Sequence, residues 1–132
     1  MSLLGIEQGI ISFLEAFMLN KAASANLKLH LYTNNHTPVA SDTLANYTEC
    51  TDASYAAVAL TGANWTIADN GSGVSQATYP QQTWTFAGAV TIYGYYVTDN
   101  GNTKVCWAEI FSAPLNFGAG QTLALTLNIT LS

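Results

Sequence analysis

The stretch VTIYGYYVTDNGNTKVCWAEIF, residues 90–111, contains two apolar runs on either side of one turn signal. Asn100-Gly101 is a dipeptide that two-residue type I′ hairpin turns favour, because both central residues of that turn need a positive φ. The stretch is therefore predicted to form a β-hairpin. A two-residue turn at this point sets three cross-strand pairs: Tyr96 with Val105, Tyr95 with Cys106, and Gly94 with Trp107. The indole ring would then cover the weak glycine position.

Neither face of this hairpin is polar. In the predicted register one face carries Ile92, Tyr96, Val105 and Trp107, and the other carries Tyr93, Tyr95, Val97, Cys106 and Ile110. An antiparallel strand pair that is apolar on both faces needs two covers, whereas the opposing sheet of a β-sandwich supplies one. We expect the second cover to be the N-terminal helix or a neighbouring subunit.

Outside the hairpin, apolar residues alternate with period two, which is typical of half-buried strands. The pattern is clearest in LKLHLYT, residues 27–33, and in QTLALTLNITL, residues 121–131. Glycine, proline and Asx turns bound further short strands, which are predicted at residues 55–60, 64–68, 74–79 and 83–86. The fold is therefore predicted to be all-β: an antiparallel β-sandwich or a jelly-roll-like barrel with a short N-terminal α-helix.

The helix is predicted over residues 3–19. Its apolar residues recur at three- and four-residue steps and form one face: Leu3, Ile6, Ile10, Phe13, Leu14 and Phe17. Such a stripe must be buried either on the protein's own sheet or on another subunit, and the sequence leaves both alternatives open. We divide the chain into an amphipathic arm, residues 1–21, and a single β-sandwich domain, residues 22–132.

Charge is scarce in this chain. Only 8% of its residues are charged, compared with roughly 25% in an ordinary soluble domain. The net charge is −5 and the only cations besides histidine are three lysines, so the electrostatic footprint of a nucleic-acid-binding protein is missing. No apolar segment is long enough to span a membrane. A surface built mainly from Thr, Asn, Ser and Tyr suits a neighbouring protein, and we expect a subunit of an assembly.

The residues that could support catalysis are few and scattered. His30 and His36 lack further ligands at a metal-binding spacing. Cys50 and Cys106 lie on separate elements, and free buried thiols are favoured over a disulfide bridge between them. The carboxylates Asp42, Glu49 and Asp52 suit turns and caps. Glu109 lies between aromatic residues and is expected to accept hydrogen bonds. We therefore expect no enzymatic activity, no bound metal and no cofactor.

Aromatic residues leave a second function open. Trp65, Trp84, Trp107 and the tyrosines of YGYY (residues 93–96) are expected in the core and at interfaces, where aromatic side chains predominate. If they are exposed, however, they could stack on sugar rings. The alternative is therefore a tail or receptor-binding module that contacts carbohydrate through these residues.

Several segments resemble a family of small virion proteins of tailed bacteriophages. The segments follow the family's order: LHLYTNNHTP (29–38), YTECTDASYA (47–56), QQTWTF (81–86), IYGYYVTD (92–99), WAEIF (107–111) and LTLNITL (125–131). The chain departs from the family at Ser54, where glycine is frequent, and at Asn128, where proline is common.

The resemblance implies a non-enzymatic head decoration or cement protein. Such a protein would form a homotrimer, bind the major capsid protein and stabilise the shell of a virion that is assembled in the bacterial cytoplasm. It implies no catalytic residues. From the residues themselves, the candidate interface consists of one helix face and part of the hairpin: Leu3, Ile6, Ile10, Phe13, Phe17, Tyr93, Tyr95 and Trp107.

Overall fold

A computed structural model of the protein describes residues 4–22 and 26–131. Ten strands and one α-helix lie in this part of the chain: β1 (Leu4–Gly5), α1 (Glu7–Met18), β2 (Leu27–Tyr32), β3 (Val58–Leu60), β4 (Thr66–Asp69), β5 (Ser75–Thr78), β6 (Gln82–Thr85), β7 (Val90–Thr98), β8 (Val105–Phe117), β9 (Thr122–Leu125) and β10 (Asn128–Leu131). The predicted all-β, sandwich-like class with one N-terminal helix is confirmed.

The strands form three antiparallel sheets. The largest has the order β1-β8-β7-β2-β3, and the smaller ones are β10-β5-β4 and β6-β9. The main core lies where side chains of β2, β3 and β7 meet those of the smaller sheets and their flanking residues. Its largest fully buried members are Leu29, Leu31, Leu60, Phe86, Ile92, Val97 and Leu127. One face of the long hairpin is thus covered by the small sheets, as a sandwich requires.

The opposite face of the hairpin is covered by two other parts of the same chain. A second buried cluster joins Tyr96, Val105 and Ala108 of the hairpin to Tyr32, to Ile6 before the helix, and to Tyr47 in the loop after β2. The rings of Tyr47 and Tyr96 stack with their centroids 4.9 Å apart. Both faces of the hairpin are therefore buried, as predicted, and the chain itself supplies both covers.

The predicted register of the hairpin is wrong. Thr98 pairs with Val105, Val97 with Trp107, Tyr96 with Ala108, Tyr95 with Glu109 and Gly94 with Ile110. The connection spans residues 99–104, because the Asp99 carboxylate accepts hydrogen bonds from the backbone N–H groups of Thr103 at 2.6 Å and Lys104 at 2.9 Å. Asn102 has a φ of 54°, whereas Gly101 is not among the residues of positive φ, so no type I′ turn forms at Asn100-Gly101.

The predicted cover of Gly94 by Trp107 is wrong as well. Tyr32, on the neighbouring strand β2, is the cross-strand partner of Gly94. A Cβ atom on Gly94 would lie 2.1 Å from the carbonyl oxygen of Glu109 and 2.7 Å from the hydroxyl of Tyr32, so only glycine fits there. An aromatic ring does cover the glycine, but it comes from β2.

The helix begins later than predicted, at Glu7. Leu4 and Gly5 form an edge strand that pairs with Ala108 and Trp107 of β8. The N–H of Ile6 then donates to the carbonyl of Cys106 at 2.9 Å. These backbone bonds attach the N-terminal segment to the large sheet just before the chain turns into the helix.

Candidate functional site

Helix α1 exposes its large apolar residues. Six of them lie on one side of the helix, within an arc of about 160° at 100° per residue. We call this surface the apolar stripe: Ile10, Ile11, Phe13, Leu14, Phe17 and Met18. Phe17 is 78% exposed and Met18 is 69% exposed, and the other four are about half exposed. The rings of Phe13 and Phe17 stack against each other with centroids 6.2 Å apart.

The side of the helix that meets the sheet is small. Gly9 is buried, and a Cβ atom there would lie 2.4 Å from the Cα and 2.8 Å from the Cβ of Cys106. Cys106 is the extra residue in β8 at the bulge between the Val97–Trp107 and Thr98–Val105 pairs. The backbone of the bulged strand therefore approaches the helix more closely than any larger residue at position 9 would allow.

Polar contacts define the orientation of the helix. The Oε1 atom of Gln8 accepts a hydrogen bond from the N–H of Val105 at 3.2 Å, and Lys104 Nζ donates to the Ser12 hydroxyl at 3.3 Å. The N–H of Glu7 donates to the carbonyl of Ala40 at 2.9 Å. Rotating the apolar stripe towards the sheet would break these bonds and bring larger side chains to the place of Gly9. The outward orientation of the stripe is therefore built into the fold.

The exposed area of the stripe is large for a free protein. Six side chains, half to three-quarters exposed, present roughly 500–700 Å² if a fully exposed large side chain presents about 150–200 Å². The largest apolar patch of a typical monomer covers about 300–600 Å² and is often functional. The stripe therefore lies at the upper end of what a protein without a partner ordinarily exposes.

Charge is compensated at one end of the stripe. Glu15 accepts a hydrogen bond from Lys21 Nζ at 2.7 Å, and this contact holds the pKa of the Glu15 carboxyl below its ordinary value. The Lys21 side chain stays 58% exposed. Glu7 lies in the first turn of the helix, where the helix dipole favours a negative charge. A partner that covers the stripe therefore meets mainly apolar carbon with the Glu7 carboxylate at one end, because the Glu15–Lys21 pair lies in the cleft between the helix and the sheet with Gly9 and Cys106.

An apolar groove of about 280 Å³ adjoins the stripe at Phe13. Its walls come from the helix, β2, β4, β5, β8 and β10, and the atoms that line it are almost all apolar. The lining residues are Phe13, Leu27, Trp65, Ile67, Ser75, Gln76, Ala77, Trp107 and Ile129. Ile67 is 70% exposed on β4. The indole rings of Trp65 and Trp107 thus line one surface, whereas Trp84 is buried.

The structure separates the predicted interface residues into three groups. Ile10, Phe13 and Phe17 are exposed on the stripe, and Trp107 is half-buried in the groove. Ile6 and Tyr95 are buried within the chain, and Tyr93 is half-buried against the second cluster, so their placement at an interface is not supported. They are internal because the N-terminal segment and the small sheets cover both hairpin faces. Leu3 lies outside the described residues.

Ile11 and Met18 belong to the stripe but were missed in the sequence. Ile11 lies three residues before Leu14 and Met18 four residues after it, so the helical spacing that places Leu14 on the apolar face also places these two there. A second signal is the opposite face of the same helix, where Gly9, Ser12 and Ala16 are all small. A small face permits close packing on a sheet and leaves the large face outside.

His30 belongs to a buried hydrogen-bond network. It is 3% exposed, its Nδ1 lies 2.7 Å from Glu49 Oε1, and its Nε2 lies 2.9 Å from the Thr98 hydroxyl. The Tyr55 hydroxyl donates to Glu49 Oε1 at 2.9 Å and accepts from the N–H of Leu31. Burial raises the pKa of Tyr55, and the Glu49 carboxylate raises it further. The network joins β2, β7 and the loop at Glu49.

His36 forms a similar contact. Its Nε2 lies 2.7 Å from Asp42 Oδ2, which also accepts hydrogen bonds from the Tyr47 hydroxyl at 2.7 Å and the N–H of Val39 at 3.0 Å. Burial alone would raise the pKa of Asp42, but the hydrogen bonds from Tyr47, Val39 and His36 outweigh it and hold the pKa below its ordinary value. This carboxylate organises the loop that covers the hairpin.

The remaining candidate acids also have structural contacts. Tyr95 Oη donates to Glu109 Oε2 at 2.6 Å. Asp52 accepts from the N–H groups of Ser54, Ala87 and Gly88, and these bonds hold its pKa below the ordinary value. Asp52 therefore has the turn role that was predicted for it.

Residues 4–22 and 26–131 show three further features. Within these ranges no group of three or more His, Cys, Asp or Glu residues is arranged to hold a metal ion. No helix there has the length and apolarity needed to cross a membrane. Cys50 and Cys106 are free and buried.

Comparison with models of known protein families and with curated proteins finds no match to this chain. The geometry of the apolar stripe and the resemblance of the sequence segments to small virion proteins are therefore the two indications of function.

Proposed function

We propose that this protein is a non-enzymatic structural subunit of a tailed-bacteriophage particle, a decoration or cement protein that binds and stabilises the shell of major capsid protein. The observation that carries the proposal is the outward orientation of the apolar stripe. A helix whose small face is packed on the sheet and whose large apolar face is exposed is suited to association with another protein chain.

The composition of the surface supports a role in assembly. Eleven charged residues among 132 leave most of the exterior to uncharged polar groups, and several of the charged residues are already engaged within the chain. Protein interfaces are depleted of charge at their centres, so such a surface can be covered without a large desolvation cost. The choice of a capsid shell as the partner depends on the resemblance to small virion proteins, which also implies a homotrimer.

The non-enzymatic part of the proposal is supported by the contacts of the titratable groups. His30 and Asp42 are buried, and His36 shares a hydrogen bond with Asp42. The Glu109 carboxylate accepts a short hydrogen bond from Tyr95. Each of these titratable side chains therefore has a structural role within the fold.

A tail or receptor-binding module remains the second candidate, because Trp65 and Trp107 line the same groove. Carbohydrate sites combine aromatic platforms with polar groups that fix the orientation of the ligand. Here the walls are almost entirely apolar, which suits a sugar poorly. Loss of glycan-array binding on Trp65→Ala or Trp107→Ala would favour this candidate over the capsid proposal.

The direct test of the capsid proposal is co-sedimentation of the purified protein with expanded empty heads assembled from the major capsid protein of the same phage. We expect saturable binding and a higher temperature of head disruption. A protein that leaves head stability unchanged and fails to sediment with heads contradicts the proposal. Cryo-electron microscopy of the whole particle separates a position on the head from one on the tail.

A further inference from the structure

We infer that His30, Thr98 and Asn102 form a hydrogen-bond relay whose direction is switched by one proton. While both ring nitrogens of His30 carry hydrogen, the bonds run from the ring through the Thr98 hydroxyl to the side-chain carbonyl of Asn102. When the ring loses the proton on Nε2, the Thr98 hydroxyl turns to the ring and the Asn102 amide turns with it. The inference goes beyond the proposed function and does not depend on it.

The Thr98 hydroxyl sets the direction of the relay. It has a single hydrogen, which it donates to Asn102 Oδ1 at 2.9 Å. His30 Nε2 lies 2.9 Å from the same hydroxyl oxygen. Thr98 is fully buried, so bulk water does not reach it. Because the hydroxyl hydrogen is already used, Nε2 donates to the Thr98 oxygen and therefore carries a hydrogen.

The Glu49 carboxylate places a hydrogen on the other ring nitrogen. Its Oε1 atom lies 2.7 Å from His30 Nδ1, and an ionised carboxylate can only accept hydrogen bonds. The same oxygen accepts from the Tyr55 hydroxyl at 2.9 Å, and the Tyr55 oxygen accepts from the N–H of Leu31. Both ring nitrogens of His30 therefore donate, and the ring in this arrangement is a cation.

The Tyr96 ring suits a cation at this position. It is stacked on the His30 ring, with centroids 4.7 Å apart and planes 10° from parallel. The face of an aromatic ring attracts positive charge. His30 is 3% exposed, and a charge so deeply buried is tolerated where it is paired and hydrogen-bonded. Glu49, Thr98 and the stacked ring together provide these conditions.

Other titratable groups lie on the elements around the ring. In the described part of the chain they are Lys28 on β2, Glu49 and Tyr55 after β2, Tyr96 on β7, and Asp99 and Lys104 between β7 and β8. Burial raises the pKa of Tyr55 and of Tyr96, so both hydroxyls keep their hydrogen around neutral pH. Burial would raise the pKa of Asp99, but hydrogen bonds from its loop outweigh it and hold the pKa below its ordinary value. Histidine is the residue type in this set that ordinarily titrates near neutral pH.

The proton that leaves the ring should come from Nε2. A hydrogen bond to a carboxylate is roughly twice as strong as one between neutral groups, so the ring keeps the hydrogen that faces Glu49. Nε2 then becomes an acceptor, and the Thr98 hydroxyl turns its hydrogen towards it. Asn102 Oδ1 loses its donor, and a flip of the amide brings the NH₂ group to Thr98 instead. Both directions of the relay therefore satisfy the buried hydroxyl.

The relay ends in the connection that contacts helix α1. Two residues after Asn102, Lys104 Nζ donates to the Ser12 hydroxyl at 3.3 Å, and the next N–H, of Val105, donates to Gln8 at 3.2 Å. The protonation of His30 thus changes the hydrogen bonding of the segment that positions the helix. A proton-driven change at one side chain is transmitted in this way to the element that exposes the apolar stripe.

The test is a pH titration of the full chain, isotopically labelled in nitrogen, by NMR. The ring nitrogen signals report which atoms carry hydrogen, and His36→Gln assigns the remaining ring to His30. We expect His30 to carry hydrogen on both nitrogens at the acidic end and to lose that on Nε2 as the pH rises. The side-chain amide signals of Asn102 should shift at the same pH. Loss of hydrogen from Nδ1 instead, a ring that is neutral throughout, or Asn102 signals that do not follow the ring overturns the inference.

The variant Asn102→Asp tests the end of the relay. A carboxylate at position 102 can only accept from Thr98, so the relay cannot reverse and His30 should keep both hydrogens to a higher pH. Gly101→Asp is the matched control, because it adds the same charge to the same exposed connection without replacing the relay atom. A shift of the His30 titration in Gly101→Asp as large as in Asn102→Asp would reduce the effect to charge alone and overturn the relay.

The variant Thr98→Val tests the middle of the relay. It removes the hydroxyl that joins His30 to Asn102, so the Nε2 hydrogen should be lost at lower pH and the Asn102 signals should no longer follow the ring. Thr85→Val is the control, because its hydroxyl is exposed and contacts Thr122 on the small sheet. Asn102 signals that still follow His30 in a folded Thr98→Val protein overturn the inference. If Thr98→Val does not fold, the Asn102→Asp and Gly101→Asp comparison decides.

Discussion

Gly9 of helix α1 lies against the backbone of Cys106, and a Cβ atom added to the glycine would come within 2.4 Å of the Cys106 Cα. This contact joins the helix to the bulge in β8. Close approach at this point allows the Gln8 and Ser12 side chains to reach Val105 and Lys104. The helix is consequently held by its small face, and its large apolar face is exposed.

The variant Gly9→Ala should therefore destabilise the protein although alanine is the better helix former. The gain in helix propensity is about 1 kcal/mol, whereas overpacking against backbone costs about 1–3 kcal/mol and displaces the helix. We expect a net loss of unfolding free energy in urea titrations. Gly62→Ala is the control, because nothing lies within 4 Å of the added Cβ atom there. Greater stability of Gly9→Ala than of the wild type would contradict the packing described.

The thiol of Cys106 should report the docking of the helix. Burial raises its pKa to about 11, and burial also raises the pKa of Cys50. Because the thiolate is the reactive form, neither cysteine should react with an aromatic disulfide reagent at pH 8 while the protein is folded, and both should react in guanidinium. In Gly9→Ala we expect the labelling rate of Cys106 to increase more than that of Cys50. Equal acceleration at both thiols would indicate global unfolding.

Stability should fall in acid because of Asp42. Its pKa in the folded protein lies below the ordinary value of 3.8, so its contribution is fully present above that value. As the pH falls through the lower folded-state pKa, Asp42 becomes protonated in the folded state as well as in the unfolded state. Its contribution to stability is then lost. Urea unfolding at pH 7 and pH 2.5 should show this decrease.

The variant Asp42→Asn provides the comparison for the acid measurement. It should lose about 2 kcal/mol at pH 7, because hydrogen bonds to charged groups are worth about 1.5–3 kcal/mol, and it should lose less than the wild type on acidification. A wild-type protein and variant with the same pH dependence would exclude Asp42 as a source of the effect.

The register of the hairpin shows where local sequence signals are insufficient. Asn100-Gly101 correctly indicated a chain reversal between two apolar strands, but the neighbouring Asp99 supplies a carboxylate that binds two backbone N–H groups and lengthens the turn. The same polar residues are compatible with several turn geometries. The choice among them also depends on Tyr32, which covers Gly94 from a strand more than 60 residues away in sequence.

The helix shows a different limitation. Its apolar periodicity predicted an amphipathic helix and left two locations for the stripe open. The sequence also contained the small residues of the opposite face, but a small face is informative only when the surface it meets is known. The bulge at Cys106 is that surface, and it arises from the pairing of β7 with β8.

Alternating apolar residues and turn residues were sufficient to predict an all-β fold with one N-terminal helix. These properties depend on side-chain periodicity and composition, which are local or additive. The hairpin register, the burial of Ile6 and Tyr95, and the outward face of the helix depend on contacts between segments distant in the chain. Such contacts are selected by close packing and by the pairing of buried polar groups, so they became known only from the folded arrangement.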